Sequence, residues 1–66
     1  MIITIKENAS ESTIKALEDY VQSKNLMLEI AQGNNMRIAI VIGDTSLLDD
    51  NAIRSFDCVS DIKRLT

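Results

Sequence analysis

Five consecutive apolar residues, Ile38-Ala39-Ile40-Val41-Ile42, run without a break into Gly43-Asp44. A run this short, rich in β-branched side chains and stopped by a turn signal, predicts a strand in the middle of a sheet rather than a piece of helix. The remaining segments therefore have to be arranged around a sheet with this strand near its centre.

Upstream, Ile2–Lys6 alternates, with Ile3 and Ile5 on one side and Thr4 and Lys6 on the other. That is the period of a strand with one buried face. The polar loop Glu7-Asn8-Ala9-Ser10 holds two candidate N-caps, Asn8 and Ser10, and the pattern alone does not choose between them. Ser10–Lys24 reads as an amphipathic helix whose apolar stripe is Ile14, Leu17 and Val21, widened by Ala16 and Tyr20. Glu11–Lys15 and Lys15–Asp19 are opposite-charge pairs at helical spacing on its wet side. Asn25 is placed to end the helix in a left-handed conformation.

The chain then returns as a strand over Leu26–Gln32, with Leu28 and Ile30 on one face and Met27, Glu29 and Ala31 on the other. Gln32-Gly33-Asn34-Asn35 is a hairpin connection with positive φ expected at the glycine. In the strand Met36–Ile42 the larger side chains, Ile38, Ile40 and Ile42, are assigned to the core, and Arg37, Ala39 and Val41 to the opposite face. Leu47–Ser55 reads as a short second helix with apolar contacts from Leu48, Ala52, Ile53 and Phe56. Val59–Leu65 closes as a strand whose Asp61, Lys63 and Arg64 suit an edge, where charge discourages unwanted pairing.

The order βαββαβ, over a single domain spanning residues 1–66, predicts a ferredoxin-like α+β sandwich. A four-stranded antiparallel sheet carries both helices on one face, with the first and third strands central. The other face then has no cover from within the chain. It is expected to carry Thr4, Met27, Glu29, Ala31, Arg37, Ala39, Val41 and Lys63, a mixture with enough small and apolar members to mark a partner.

Size points the same way. A chain of 66 residues buries only about 60% of the surface its unfolded form exposes. One cysteine excludes an internal disulfide, and one thiol without any histidine makes no zinc site, so neither metal nor other cofactor is expected. Association with other protein surface is the remaining remedy. A net charge of −3 argues against nucleic acid and anionic membrane as partners. The amino terminus has no basic lead or long apolar core, and no apolar run approaches the roughly 20 residues of a membrane span, so a cytoplasmic setting is expected.

Catalytic constellations are missing too. The loop after the first strand has no arginine for a phosphate cradle and no cysteine pair for a metal. The aromatics, Tyr20 and Phe56, fall on or beside helices, not on strands where bases would stack. Asp44, Asp49, Asp50 and Asp57 lack the rhythm of a calcium loop, and Cys58 has no histidine to activate it, so it reads as a small buried hydrophobe.

Taken in order, MIITIK at the start, Lys24-Asn25-Leu26, the hairpin at Gly33, Val41-Ile42-Gly43-Asp44 and Phe56-Asp57-Cys58-Val59 make the whole chain resemble one family. It is similar to the amino-terminal ferredoxin-like domain of the DAHP (3-deoxy-arabino-heptulosonate 7-phosphate) synthases, which open aromatic amino-acid biosynthesis. The resemblance implies a non-catalytic regulatory domain. In that family it precedes a (β/α)₈ barrel that condenses phosphoenolpyruvate with erythrose 4-phosphate using a divalent metal. It also implies pairing with a second copy and binding of an aromatic amino acid, tyrosine or phenylalanine, between the copies for feedback inhibition.

In tyrosine-regulated relatives the positions matching Glu29 and Ala31 tend to be histidine and serine, which approach the ligand's hydroxyl. Glu29 can still accept a hydrogen bond from a phenol, but the Ala31 side chain can neither donate nor accept. Effector-binding or interface positions are therefore expected at Glu29, Ala31, Ala39 and Val41. The alternative is a stand-alone dimerisation or scaffolding domain without a ligand. On either reading Val41→Asp should push an oligomer towards monomer, by placing charge in a shared surface.

Overall fold

A computed structural model describes residues 1–64 of the chain. Its elements run β1 (Ile2–Ile5), α1 (Glu11–Ser23), β2 (Met27–Gly33), β3 (Met36–Ile42), a 3₁₀ turn (Thr45–Leu47), α2 (Asp50–Arg54) and β4 (Val59–Lys63). The four strands form one antiparallel sheet in the order β2-β3-β1-β4. This is the expected ferredoxin-like α+β arrangement, with β1 and β3 central. The Met1 ammonium donates to the Val41 carbonyl at 3.3 Å and Val41 N–H donates to the Met1 carbonyl at 2.9 Å, extending the central pair to the chain end.

The ends of α1 follow from its capping residues. Ser10, not Asn8, is the N-cap: its hydroxyl accepts from Thr13 N–H at 3.4 Å. At the other end Asn25 has φ +62, Asn25 N–H donates to Gln22 O, and Leu26 N–H donates back to Val21 O. That pattern is a Schellman closure, and its usual apolar contact is supplied by Leu26 and Val21, both buried. The helix stripe Ile14, Leu17 and Val21 then packs with Ile3 and Ile5 of β1. Leu48 and Ile53 join the same cluster beside Cys58 and Val59, so both helices share one face of the sheet.

Three local expectations are corrected. The second helix is shorter than Leu47–Ser55, because Asp44 and Asp49 each cap a separate turn. Their carboxylates accept from Ser46 N–H at 3.1 Å and Asn51 N–H at 2.9 Å and divide the segment into a 3₁₀ turn and α2. In the hairpin, Asn35 rather than Gly33 adopts positive φ, at +58. Asparagine tolerates that conformation well. Glu11 pairs across elements with Arg37 at 3.4 Å. The expected extension of the last strand to Leu65 lies outside the described residues.

Gly43 is the glycine whose lack of a side chain matters. Its φ is +126, and a Cβ there would lie 2.4 Å from Leu26 Cδ2. The end of the Leu26 side chain occupies the space a side chain at position 43 would need, and the positive φ is one that residues other than glycine rarely adopt.

Candidate functional site

Antiparallel register fixes which residues share a face. Ile3 pairs with Ala39, Leu28 with Val41 and Ile30 with Ala39, so Ala39 and Val41 stand with the helix-facing side chains. Ala39 is 0% exposed and Val41 4%. The expectation that these two belong to the uncovered face is therefore corrected, and so is that of Arg37, which lies on the helix side and reaches Glu11 of α1. The physical reason is the apposition of α1. Small Ala39 lets the helix lie close, and Ile14, Leu17 and Val21 fill the space that an isoleucine would otherwise need.

The uncovered face is consequently more apolar than its expected membership. Ile38, Ile40 and Ile42 of β3 stand there, with Met36 at the same parity. Ile42 is 47% exposed, Met36 59% and, opposite Ile42 on β2, Met27 64%. Ile2 of β1 pairs with Ile40 and Thr4 with Ile38. Glu29 and Ala31 hold their expected places, opposite Ile40 and Ile38 respectively. Lys63 also lies on this face opposite Ile2, and Asp61 lies opposite Thr4. The result is an isoleucine ridge along β3, flanked by Met27, Ala31 and Ile2 and bordered by Glu29 on one side and Asp61 and Lys63 on the other. Met27, Met36 and Ile42 are exposed, while Ile2, Ile38 and Ile40 are half-buried between their neighbours. An apolar patch of this kind, uncovered by any helix, is the candidate interaction site.

The helix side offers less. A cleft of about 330 Å³ lies between the β1–α1 loop and Asp57, lined by Lys6, Asn8, Ala9, Ser10 and Thr13. A smaller one of about 150 Å³ lies by the hairpin, between Glu7, Gln32, Asn35, Met36 and Arg37. Among the described residues no three acidic, cysteine or histidine side chains gather in a way that could hold a metal ion. Cys58 is buried and its thiol donates to Thr13 O at 3.5 Å, and burial pushes its pKa up, away from the thiolate a nucleophile requires.

The strongest polar cluster ties the end of the sheet to the α2 segment. The Arg64 guanidinium donates to the Asp50 carboxylate at 2.7 Å, to Leu48 O at 3.1 Å and to Thr45 O at 3.2 Å. The Arg64 hydrogen bond holds the Asp50 carboxyl below its ordinary pKa. Asp44 is likewise lowered, by the Ser46 hydroxyl and N–H. Arg64 was expected only as an edge charge; its partners come from the 3₁₀ turn and the start of α2, which sequence spacing does not bring together.

Fold and site together define a ferredoxin-like α+β domain with an exposed apolar sheet face and no assembled catalytic group among the described residues. The family model for the DAHP synthase ferredoxin-like domain matches residues 1–66, and the chain belongs to that family. A crystal structure of phospho-2-dehydro-3-deoxyheptonate aldolase (DAHP synthase) from Thermotoga maritima is similar over 98% of this chain, with 26% identity and a TM-score of 0.86. The match covers 19% of that longer chain. Comparison with curated proteins finds no match.

Proposed function

We propose that this domain is a regulatory, self-associating module of a DAHP synthase, not catalytic by itself, and that its open sheet face is where it meets a second copy. The observation that carries this reading is the apolar ridge of β3, half-buried at Ile38 and Ile40 and exposed at Ile42 and Met36, on the sheet face that neither helix covers. Covering that ridge buries apolar surface that the two helices leave uncovered. Among the described residues no helix is long and apolar enough to cross a membrane, and one buried unpaired thiol suits a reducing, cytoplasmic setting.

An aromatic amino acid held between two copies fits beside the same ridge. Glu29 stands next to Ile40 as a hydrogen-bond acceptor, and Ala31 next to Ile38 leaves room without offering a polar contact. Ala39 and Val41, buried beneath α1, have no part in this version of the contact surface. Ala31 also favours a second reading, in which the ridge mates with its copy and no ligand enters. Calorimetric titration with tyrosine and with phenylalanine decides between the two. Saturable heat with either supports the effector site, and no heat at millimolar ligand rejects it in favour of plain dimerisation.

A further inference from the structure

The two edges of the sheet are unequally protected. β4 has a bulge, because Thr4 pairs with Asp61 while Ile5 pairs with Val59, leaving Ser60 as the extra residue. It also presents Asp61 and Lys63, with Asp61 3.9 Å from Arg54. Both devices blunt an edge. The other edge, β2, has neither. It runs seven residues in unbroken register with β3 and carries one charge, Glu29. Ile30 lies on its helix side, yet is 41% exposed.

We propose that β2 is a second self-association surface, at which two copies pair edge to edge into one continuous antiparallel sheet. The direction of its free main-chain groups follows from the hairpin. A two-residue turn at Asn34-Asn35 makes Gly33 and Met36 a hydrogen-bonded pair, so Glu29 and Ala31 also direct their N–H and C=O groups at β3. Leu28, Ile30 and Gln32 therefore direct theirs off the edge, where a partner strand would bind.

One register fits these groups to themselves. With the two-fold axis at Ile30, Ile30 faces Ile30 of the other copy and Leu28 faces Gln32, each pair exchanging two main-chain hydrogen bonds. The same register sets Glu29 opposite Ala31, so the strand's one charge never meets its own copy. A register centred on Glu29 would oppose like charges and is disfavoured. The pairing covers the Ile30 side chains with each other and joins the two isoleucine ridges into one surface. It is independent of the open-face contact, since a face-to-face pair leaves the β2 edge bare.

Amide hydrogen exchange of the full chain across a concentration series, read by NMR beside light scattering, tests the proposal. Edge pairing predicts that Leu28, Ile30 and Gln32 N–H become protected as the dimer forms and lose protection on dilution, with a contact between the α protons of Glu29 and Ala31 of different copies. Gln32→Pro removes an outward donor without touching the ladder to β3, and Ile30→Lys sets like charges against each other at the axis. Each is expected to raise the edge dissociation constant about tenfold or more. Should Gln32→Pro fail to fold, Ile30→Lys carries the test. Dimers in which those three amides exchange freely overturn edge pairing and leave the open-face reading standing, and a chain monomeric at every concentration overturns both.

Discussion

Val41 and Ile42 are neighbours on β3 that point to opposite sides of the sheet, and one substitution made at each separates the two sides. Val41 is 4% exposed beneath α1, whereas Ile42 is 47% exposed on the open face. Val41→Asp forfeits about 1.5–3 kcal/mol of apolar burial. It also leaves a carboxyl unpaired in the core, at about 2 kcal/mol or more. The combined loss of about 4 kcal/mol or more approaches the whole stability of a small domain, which lies near the lower end of about 5–15 kcal/mol. Ile42→Asp keeps its carboxylate in water and costs about 1 kcal/mol or less. Far-UV circular dichroism with urea melts at neutral pH should show Val41→Asp largely unfolded and Ile42→Asp folded. A Val41→Asp domain as stable as Ile42→Asp would refute this assignment of faces. Val41→Asp is thus a test of folding, and the dissociating substitution moves to Ile38.

Gly43→Ala places a Cβ 2.4 Å from Leu26 Cδ2 at a φ of +126 and should destabilise by about 2 kcal/mol or more in urea melts. Gly33→Ala, with nothing within 4 Å of the added carbon, should be neutral or stabilising by a few tenths of a kcal/mol. Asp50 has a lowered pKa in the folded chain, so its bond to Arg64 contributes stability above the ordinary value of 3.8 and loses it as pH falls through the lowered one. Arg64→Ala should therefore lower the melting temperature at neutral pH, with the difference from wild type shrinking at acid pH. Cys58 should react with a disulfide reagent only slowly in the native state and at the rate of a free thiol once denaturant unfolds the chain.

Much of the architecture is legible because local signals agree with the sheet they build. Ser10 and Asn25 bound α1, the Ile14-Leu17-Val21 stripe gives its buried face, and the alternation of β1 gives its parity. β3 misleads for a physical reason. Both of its faces are apolar, so alternation carries no information about which is buried, and residue size favours the wrong answer. The missing signal was in the hairpin. A two-residue turn pairs even-numbered with odd-numbered positions, so placing Leu28 towards the helices obliges Val41 to follow. Glu29 and Ala31 were placed correctly because β2 alternates cleanly. The Arg64 cluster could not be read in advance, since it depends on how the 3₁₀ turn folds back against the end of β4.

The claim under all of this is that the isoleucine ridge on the bare side of the sheet exists to be covered by another copy. Light scattering over a concentration series of the wild-type chain and of Ile38→Asp addresses it directly. The account predicts a wild-type mass that rises above one chain with concentration and a folded Ile38→Asp variant that loses the open-face contact and associates through the β2 edge at most. A wild-type mass fixed at one chain at the highest concentration, or an Ile38→Asp series that overlays it, would contradict the account.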